Sequence, residues 1–579
     1  MNEYIAALVD EFAQLGITYA VFSPGSRSTT MAMLFREHGA FETYMNIDER
    51  SAGFMALGIA KAHRKPVILV CTSGSAVAHY MPAVLEAQYS GVPLIILSAD
   101  RPHTLQHVGA PQTVDQQKIF GTAVNYYEEL AVPQQEHYYT YPRLVARKAY
   151  MKSMDVKRGP VHINVPLFEP LVPELDRKHF ECGRHPFSVV PAAIQPSDAC
   201  TIYDLLANKK VLILAGPSTN LEDTDTILGL SNIFHAPILG DALSNMRRVY
   251  DERVITSYDA LLSQEVYRDT LRPDCILQIG QMVVSKRVQQ WVASMQHIPI
   301  ISVSPTMDYT NPAGNTTLFV QSTPQGLVDA LKIQIPELHA IEDEEYAEGA
   351  YKELNTEDNG YLATWIDADG VGRKQLDTVA REQELFEGYT IHLLQELLPK
   401  NSQLVVANSM SIRDMDYFWS GNRHSAIIYG NRGVNGIDGT VSTALGIATN
   451  GMPTVLLTGD LTFFHDLNGL AVAKTHPLNV TIIVHNNDGG GIFEYLPQKG
   501  TPHFDYLFST AQGLDYSGLA TLYGIDFVRV SSNDELKNAL QNYVGTAGVH
   551  VIEIPTSKER SRELHALYTK IPTNKEDRL

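Results

Sequence analysis

The stretch TVLLTGDLTFFHDLNGLAVAKTHPLNVTIIVHNNDGG, residues 454–490, contains two apolar runs that each end directly in polar residues. Asp460 follows the first run and Asn487 follows the second. Runs that are nearly continuous in Val, Ile and Leu are typical of parallel strands covered by helices on both faces. Because ligands of such sheets bind beyond the carboxyl ends of the strands, the stretch predicts one site that holds both side chains.

Runs of the same kind recur along the chain and predict an α/β fold. They are VILVC (67–71), PLIILS (93–98), VLILAG (211–216), CILQIG (275–280), IPIISVS (298–304) and VHVIEI (549–554). A proline-rich stretch at 167–197 and an acidic one at 336–375 interrupt the pattern, and both are typical of linkers. We therefore expect three doubly wound parallel-sheet domains, at 1–175, 195–335 and 375–579.

The first and third of these domains contain βαβ units of nearly the same length. In the first, VILVC leads through the small-residue turn TSGSA and a helical segment to PLIILSAD; in the third, TVLLTG leads through DLTFF and a helical segment to VTIIVHNND. The similarity predicts that the two domains are related. At this level, however, any two βαβ units look alike.

The composition restricts the classes of partner. The 579-residue chain has a net charge of −20, which disfavours nucleic acid because a phosphate backbone requires a basic face. No run of 18 apolar residues predicts a membrane span, and Met1-Asn2-Glu3 begins without a signal core. The four cysteines are scattered, as expected in the cytosol, so we expect a cytoplasmic protein.

The Asp460 carboxylate, the Asn487 carboxamide and the Gly489 carbonyl are hard oxygen ligands of the kind that Mg²⁺ prefers. Taken alone, Asp460 could be merely a helix cap, and Asn487-Asp488-Gly489 could be merely a turn. Together they resemble the motif of thiamine-diphosphate-dependent enzymes, in which Gly-Asp precedes Asn-Asn by about two dozen residues. Leu461 departs from that motif, which has glycine in its place.

The resemblance implies thiamine diphosphate and Mg²⁺, with Mn²⁺ as an alternative metal. It places Gly459, Asp460, Leu461 and Asn487 at the cofactor, and Asp460, Asn487 and Gly489 at the metal. It also implies that the third domain binds the diphosphate and the metal, that the first binds the pyrimidine, and that the central domain lacks a cofactor.

A catalytic glutamate is implied by NIDERSAGFMALGIAKA, residues 46–62. Asp48 is expected to cap a helix, and Glu49 lies in its first turn, where by itself it would serve only the helix dipole. In the resembled family a glutamate in this context binds the aminopyrimidine ring and activates the cofactor. The family also implies a homodimer or homotetramer with the active site at the subunit interface.

Several further motifs resemble one menaquinone-pathway branch of the family. They are SPGSRST (23–29), SADRP (98–102), SKR (285–287), NSMSIRD (408–414), GNRGVNGIDG (430–439) and HNNDGGGIF (485–493). This resemblance implies a transferase that decarboxylates 2-oxoglutarate and adds the succinyl unit to isochorismate.

The same resemblance assigns the binding residues. Arginine suits substrates with several carboxylates because its fork binds both oxygens, although any single arginine could instead form a surface ion pair. The expected contacts with 2-oxoglutarate are Ser409, Arg413 and Arg432. The expected contacts with isochorismate are Arg27, Arg101, Gln112, Lys286 and Arg287. The expected apolar contacts with the cofactor are Ile437, Ile492, Phe493 and Leu496.

Two alternatives remain at this point. One is another thiamine-dependent 2-oxo-acid carboligase or decarboxylase, such as an acetohydroxyacid-synthase type that handles pyruvate. The other is a non-catalytic regulatory protein of the same fold. The presence of both Glu49 and Asp460 weighs against the second alternative.

Overall fold

The structure is a computed structural model. It describes residues 2–133, 138–187, 197, 199–218, 220–248, 250–306, 308–335, 359–381, 384–421 and 425–572. Within these residues the strands form three parallel sheets of six strands each, as the apolar runs predict.

The first sheet lies in the amino-terminal part of the chain. Its strands are β1 (Tyr19–Phe22), β2 (Glu42–Met45), β3 (Val67–Cys71), β4 (Leu94–Asp100), β5 (Tyr126–Glu129) and β6 (Val161–Pro166). The helices around it are α1 (Asn2–Gln14), α2 (Thr29–His38), α3 (Glu49–His63), α4 (Met81–Ser90) and α5 (Thr140–Ser153). The strand order is β2-β1-β3-β4-β6-β5.

The second sheet belongs to the central domain. Its strands are β7 (Val211–Ala215), β8 (Ile238–Gly240), β9 (Val254–Ile255), β10 (Cys275–Ile279), β11 (Ile300–Ser304) and β12 (Leu318–Gln321). Its helices are α6 (Ala199–Leu206), α7 (Asp223–Phe234), α8 (Tyr258–Leu261), α9 (Glu265–Thr270), α10 (Lys286–Ser294) and α11 (Pro324–Gln334). The order β12-β11-β10-β7-β8-β9 reverses at β7 and β10, as in doubly wound dinucleotide-binding folds.

The third sheet follows the helix α12 (Tyr361–Ala380). Its strands are β13 (Gln403–Val406), β14 (Ile427–Gly430), β15 (Thr454–Gly459), β16 (Val480–Asn486), β17 (Asp526–Arg529) and β18 (Val549–Pro555). Its helices are α13 (Glu387–Leu397), α14 (Met410–Phe418), α15 (Thr440–Ile447), α16 (Asp460–His465), α17 (Leu519–Tyr523), α18 (Asn533–Tyr543) and α19 (Lys558–Tyr568). Of the acidic stretch at 336–375, residues 336–358 lie outside the described residues.

The first and third sheets have the same strand order. The order β14-β13-β15-β16-β18-β17 repeats the order of the first sheet strand for strand, whereas the central sheet differs from both. The prediction that the first and third domains are related is therefore confirmed. Their cores are also continuous, because apolar residues of α3 and α15 belong to one buried cluster.

The helices α3 and α15 cross at a pair of glycines. A Cβ on Gly58 would lie 2.2 Å from the carbonyl oxygen of Thr443, and a Cβ on Gly446 would lie 2.2 Å from that of Met55. Each carbonyl lies three residues before the opposite glycine, so a local twofold axis relates the two helices. The sequence ALGIA occurs in both, at 56–60 and at 444–448. Glycine is required at both positions because no side chain fits between the backbones.

Among the described residues, no helix is both long enough and apolar enough to cross a membrane.

Candidate active site

Asp460 and the turn at Asn487–Gly489, here called the metal loop, lie together at the carboxyl edge of the third sheet. The strands β15 and β16 are parallel neighbours with Gly459 opposite His485, so Asp460 and the metal loop follow them side by side. The backbone N–H of Gly489 donates a 2.7 Å hydrogen bond to Oδ2 of Asp460. Asp460 and the metal loop therefore lie close together, as their positions at the two strand ends predict.

The metal loop requires glycine at position 489. Gly489 has a φ of +136°, and a Cβ there would lie 2.0 Å from the carbonyl oxygen of Ser509. A side chain at this position would displace the loop from Asp460.

Two observations fit a metal-bound diphosphate at this edge. The side-chain oxygen Oδ1 of Asn487 is buried and has no hydrogen-bond partner among the described residues, although buried oxygens are nearly always partnered. A Cβ on Gly459 would meet no atom within 4 Å, so open space lies beside the strand end. An oxygen ligand without a partner next to such a space matches the donor set that Mg²⁺ takes.

Asp460 is buried, with only 5% of its surface exposed. Burial raises the pKa of its carboxyl from 3.8 to about 6, although the Gly489 N–H opposes that shift. No group of three or more His, Cys, Asp or Glu residues in the described part of the chain is arranged for a metal. A metal held by Asp460 and the metal loop would therefore need phosphate and water to complete its ligand set, which is the usual arrangement for Mg²⁺.

Glu49 is the first residue of α3, as the sequence predicts. Asp48 caps the helix by accepting a 3.1 Å hydrogen bond from the N–H of Ser51. The Glu49 side chain is half-buried and makes no hydrogen bond or ion pair with the described residues. Burial and, to a smaller extent, the Glu49 charge raise the pKa of the Cys71 thiol, which places the carboxylate near the end of β3.

The three residues expected to contact 2-oxoglutarate lie together. Nη1 of Arg413 donates to the carbonyl oxygen of Ser409, and Nη1 of Arg432 donates a 2.7 Å hydrogen bond to Oδ1 of Asn408. Burial lowers the pKa of Arg432; Asp241 opposes this shift and Arg413 adds to it. Two neighbouring guanidinium groups are suited to a carboxylate ligand.

The backbone of Ser409 supports the same assignment. Its φ of +67° and ψ of −123° are strained for a residue with a side chain. Such strain is typically found at functional sites.

The five residues expected to contact isochorismate form two groups. Arg27, Arg101 and Gln112 lie at the carboxyl edge of the first sheet. The backbone N–H of Arg27 donates to Oγ1 of Thr72, and Nε2 of Gln112 donates a 3.0 Å hydrogen bond to the carbonyl oxygen of Ser73. The Nε atoms of Arg27 and Arg101 are buried without a partner among the described residues, which leaves donors for a ligand.

The second group, Lys286 and Arg287, begins α10 in the central domain. Arg287 donates to Asp259 and to the hydroxyl of Tyr568 at the end of α19. Within the described residues, no hydrogen bond or ion pair connects this group with Arg27, Arg101 or Gln112.

The apolar residues expected at the cofactor are half-buried. They are Ile437, Leu461, Ile492, Phe493 and Leu496. Phe493 packs on Phe508 with ring centroids 5.5 Å apart, and a Cβ on Gly490 would lie 2.7 Å from the Phe493 ring.

The sequence reasoning missed two residues that hold the Arg432 loop. Both oxygens of the Glu86 side chain accept from backbone N–H groups, Gly433 at 3.0 Å and Val434 at 2.8 Å. Nζ of Lys61 donates to the carbonyl oxygen of Gly430 at 2.9 Å. The available signal is the position of Lys61 and Glu86, which are charged residues inside otherwise apolar helices.

Models of known families match most of the chain. Residues 3–119 match the "Thiamine pyrophosphate enzyme, N-terminal TPP binding domain" and residues 409–554 the "Thiamine pyrophosphate enzyme, C-terminal TPP binding domain". Residues 184–406 match the "Middle domain of thiamine pyrophosphate" enzymes.

Relatives narrow the family further. A 2-succinyl-5-enolpyruvyl-6-hydroxy-3-cyclohexene-1-carboxylate synthase of Lactococcus lactis subsp. cremoris is 48% identical over 572 residues, covering 98% of this chain and 99% of the relative. The chain belongs to this synthase family. Its member from Desulfitobacterium hafniense is 44% identical and covers 99% of this chain and 100% of the relative. This membership confirms the resemblance that the motifs indicate and does not favour either alternative.

Among solved structures, the benzoylformate decarboxylase of Polynucleobacter necessarius matches with a TM-score of 0.69 and 19% identity, covering 96% of this chain and 98% of that one. At this identity the match bears on the fold alone. Membership of the synthase family, together with the two TPP binding domains, confirms the prediction of a thiamine-diphosphate enzyme. The metal stays a prediction, as do the roles of individual residues.

Proposed function

We propose that the chain decarboxylates 2-oxoglutarate and adds the succinyl unit to isochorismate, with loss of CO₂, as a step of menaquinone biosynthesis. The product is 2-succinyl-5-enolpyruvyl-6-hydroxy-3-cyclohexene-1-carboxylate. The observation that carries the proposal is the buried Asp460, joined through Gly489 to an unpartnered Asn487 oxygen, in a family whose members are named as this synthase.

The residues fit thiamine diphosphate with Mg²⁺. Asp460, Asn487 and the Gly489 carbonyl would hold the metal, and the space beside Gly459 would receive the diphosphate. When bound, the cofactor supplies an electron sink for decarboxylation of a 2-oxo acid. The half-buried Ile437, Ile492, Phe493 and Leu496 would exclude water from its ring and thereby strengthen the charge interactions in the site.

Glu49 is the proposed catalytic residue. Its carboxylate has no partner among the described residues and is therefore free to hydrogen-bond the aminopyrimidine ring and to exchange a proton with it. It is proposed both to bind and to activate the cofactor.

Charge complementarity supports the substrate assignment. Arg413 and Arg432 would each bind a carboxylate oxygen of 2-oxoglutarate, with Ser409 beside them. Arg27 and Arg101 carry buried donors without partners and, together with Gln112, would bind the carboxylates of isochorismate. Lys286 and Arg287 complete that set.

We propose that two copies of the chain form the active unit and share each site, with a dimer or a pair of dimers as the assembly. Exposed apolar side chains surround the elements that carry Glu49 and Asp460, which is typical of an interface. They include Met45, Ile47, Phe464, Tyr506 and Leu507. Pairing across copies would also allow the two isochorismate groups, which no hydrogen bond or ion pair connects within the described residues of one chain, to serve one site. All four cysteines are free thiols, which supports a cytoplasmic location.

The test is a reaction mixture of the protein, thiamine diphosphate, Mg²⁺, 2-oxoglutarate and isochorismate. The reaction is monitored by the loss of isochorismate absorbance. We expect turnover that requires both substrates and CO₂ release from 2-oxoglutarate but not from pyruvate. Release of CO₂ from pyruvate, or no loss of isochorismate, would contradict the proposed function.

A further inference from the structure

The last helix of the described chain, α19, carries a polar stripe along its buried face. The stripe consists of Lys558, Ser561, His565 and Tyr568, which are spaced by three, four and three residues and so lie on one side of the helix. The polar groups of the four members make contacts with different elements of the protein. Three of those elements carry residues that the proposed function assigns to ligands.

The first contact is with the metal loop. Nζ of Lys558 donates a 2.8 Å hydrogen bond to the carbonyl oxygen of Asp488 and a 2.7 Å hydrogen bond to Oγ of Ser509. The same nitrogen lies 3.1 Å from the position of a Cβ on Gly489. Lys558 thus holds the metal loop in place.

The second contact is with α14, the helix that carries Arg413. Nε2 of His565 lies 2.8 Å from Oδ1 of Asp414, and each side chain is only 2% exposed. Nδ1 of His565 lies 2.7 Å from the carbonyl oxygen of Ser561. Because a carboxylate and a carbonyl can only accept, both ring nitrogens must donate, so His565 is a buried imidazolium.

The electrostatics agree with this charge state. Burial opposes a charge on His565, but the Asp414 carboxylate overcomes that effect and raises the pKa of the imidazole to about 9. Burial also raises the pKa of Asp414, to about 6, although His565 opposes that shift. The two groups thus form a charged pair that fixes α14 against α19.

The third contact is with the central domain. The Tyr568 hydroxyl donates a 2.6 Å hydrogen bond to Oδ1 of Asp259 and accepts one from Arg287. Its ring stacks on that of Tyr417, which is also on α14, with centroids 4.5 Å apart. Tyr568 therefore positions Arg287 and supports α14 at the same time.

We propose that Lys558, His565 and Tyr568 are positioning residues through which α19 sets the geometry of the metal loop, of α14 with its Arg413, and of Arg287. The proposal rests on the proposed function for the two substrates. The part of the proposal that concerns Lys558 depends only on binding of thiamine diphosphate. Each residue controls the affinity for one ligand through its polar contact, because that contact is made with one ligand-binding element. The Tyr568 ring also packs on α14, but Tyr568→Phe keeps the ring and removes only the hydroxyl.

The competing explanation is that α19 merely covers the core. Leu564 on the same helix is buried in that core at 1% exposure and contacts none of the three elements through a polar group. Leu564→Ala is therefore the matched control, since it destabilises the helix packing without altering the stripe.

The experiment compares Lys558→Met, His565→Gln, Tyr568→Phe and Leu564→Ala with the wild-type protein. For Lys558→Met, calorimetric titration with thiamine diphosphate in excess Mg²⁺ should show an affinity about tenfold weaker, equivalent to about 1.4 kcal/mol. His565→Gln should raise the KM for 2-oxoglutarate about tenfold, and Tyr568→Phe should raise the KM for isochorismate about fivefold. In every variant the other two constants should stay within about twofold.

The double variant Asp414→Asn/His565→Gln replaces the charged pair by a neutral hydrogen-bonded pair. It should recover much of the 2-oxoglutarate KM, because no unpaired charge is left buried. Unfolding curves of all variants show whether each of them is folded.

Three outcomes overturn the proposal. All three constants could change together in each stripe variant in proportion to lost stability, as the explanation that α19 merely covers the core predicts. The ligand assignments could be exchanged between residues, or none of the constants could change. A wild-type protein without turnover would contradict the proposed function and, with it, the roles of His565 and Tyr568 in substrate binding. The calorimetric result for Lys558→Met would still decide the role of Lys558 in cofactor binding.

Discussion

Replacing Asp460 by asparagine should stabilise the protein without cofactor and weaken its response to the cofactor. The carboxylate is 5% exposed, and burial raises its pKa from 3.8 to about 6. A folded-state pKa above the unfolded value means that ionisation opposes folding: the cost is absent below about pH 4 and develops fully above about pH 6. Asparagine keeps an acceptor for the Gly489 N–H and removes the charge.

The magnitude follows from the two pKa values. Their difference, at about 1.36 kcal/mol for each pH unit, corresponds to an upper value of about 3 kcal/mol above pH 6. An unmade hydrogen bond at the new amide reduces this gain. We therefore expect Asp460→Asn to raise the free energy of unfolding by about 1–3 kcal/mol at pH 7.5, seen as unfolding at a higher urea concentration. At pH 4 the two proteins should unfold alike.

Urea unfolding followed by intrinsic fluorescence measures this, with and without Mg²⁺ and thiamine diphosphate. The ligands should stabilise the wild-type protein by mass action and the variant much less. The exposed Asp505 provides the control, because Asp505→Asn should change neither measurement. A variant that is less stable than the wild type without cofactor, or equally stabilised by it, would refute the reasoning about Asp460.

Four further substitutions, with one control, test other parts of the account. Glu49→Gln should reduce kcat by at least about a hundredfold and leave the calorimetric affinity for thiamine diphosphate within about threefold, and near-normal turnover would remove Glu49 from catalysis. Arg413→Ala should raise the KM for 2-oxoglutarate more than the KM for isochorismate, because a charge-assisted hydrogen bond to 2-oxoglutarate is lost. Initial-rate kinetics with the other substrate saturating measure both constants. A larger rise in the KM for isochorismate would exchange the substrate assignments. Gly58→Ala and Gly446→Ala should each lower the free energy of unfolding in urea by about 1–3 kcal/mol, because the added methyl would lie 2.2 Å from a backbone oxygen. Gly229→Ala, in a helix with open space around the glycine, should instead be neutral or stabilising, and equal losses at all three sites would contradict the close crossing of α3 and α15.

The central strands were predictable from the sequence because they are buried on both faces. All of the apolar runs, such as VILVC and TVLLTG, are strands, and their residues are buried almost throughout. The edge strands β2 (ETYM) and β5 (YYEE) carry polar residues and are only partly buried, so no apolar run indicates them. The local twofold axis was visible only as the repeated ALGIA, whose meaning depends on the crossing of two distant helices.

The placement of the candidate ligand-binding residues could be predicted where a motif holds them within a few residues. Asp460 and the metal loop follow adjacent strands, and Ser409 and Arg413 lie on one turn of α14. The residues that support them could not be predicted in this way. His565 pairs with Asp414, 151 residues away, and in the sequence α19 looks like an ordinary charged surface helix.

The most direct test of the central claim is complementation between two inactive variants. The account holds that Glu49 of one copy and Asp460 of another serve the same thiamine diphosphate. Glu49→Gln and Asp460→Ala chains are co-expressed with different affinity tags, and the mixed dimers are isolated through both tags. One site of each mixed dimer then carries both changes and the other carries neither, so we predict about half of the wild-type activity per dimer. Mixed dimers that stay as inactive as either parent would contradict a site shared between the two residues across subunits.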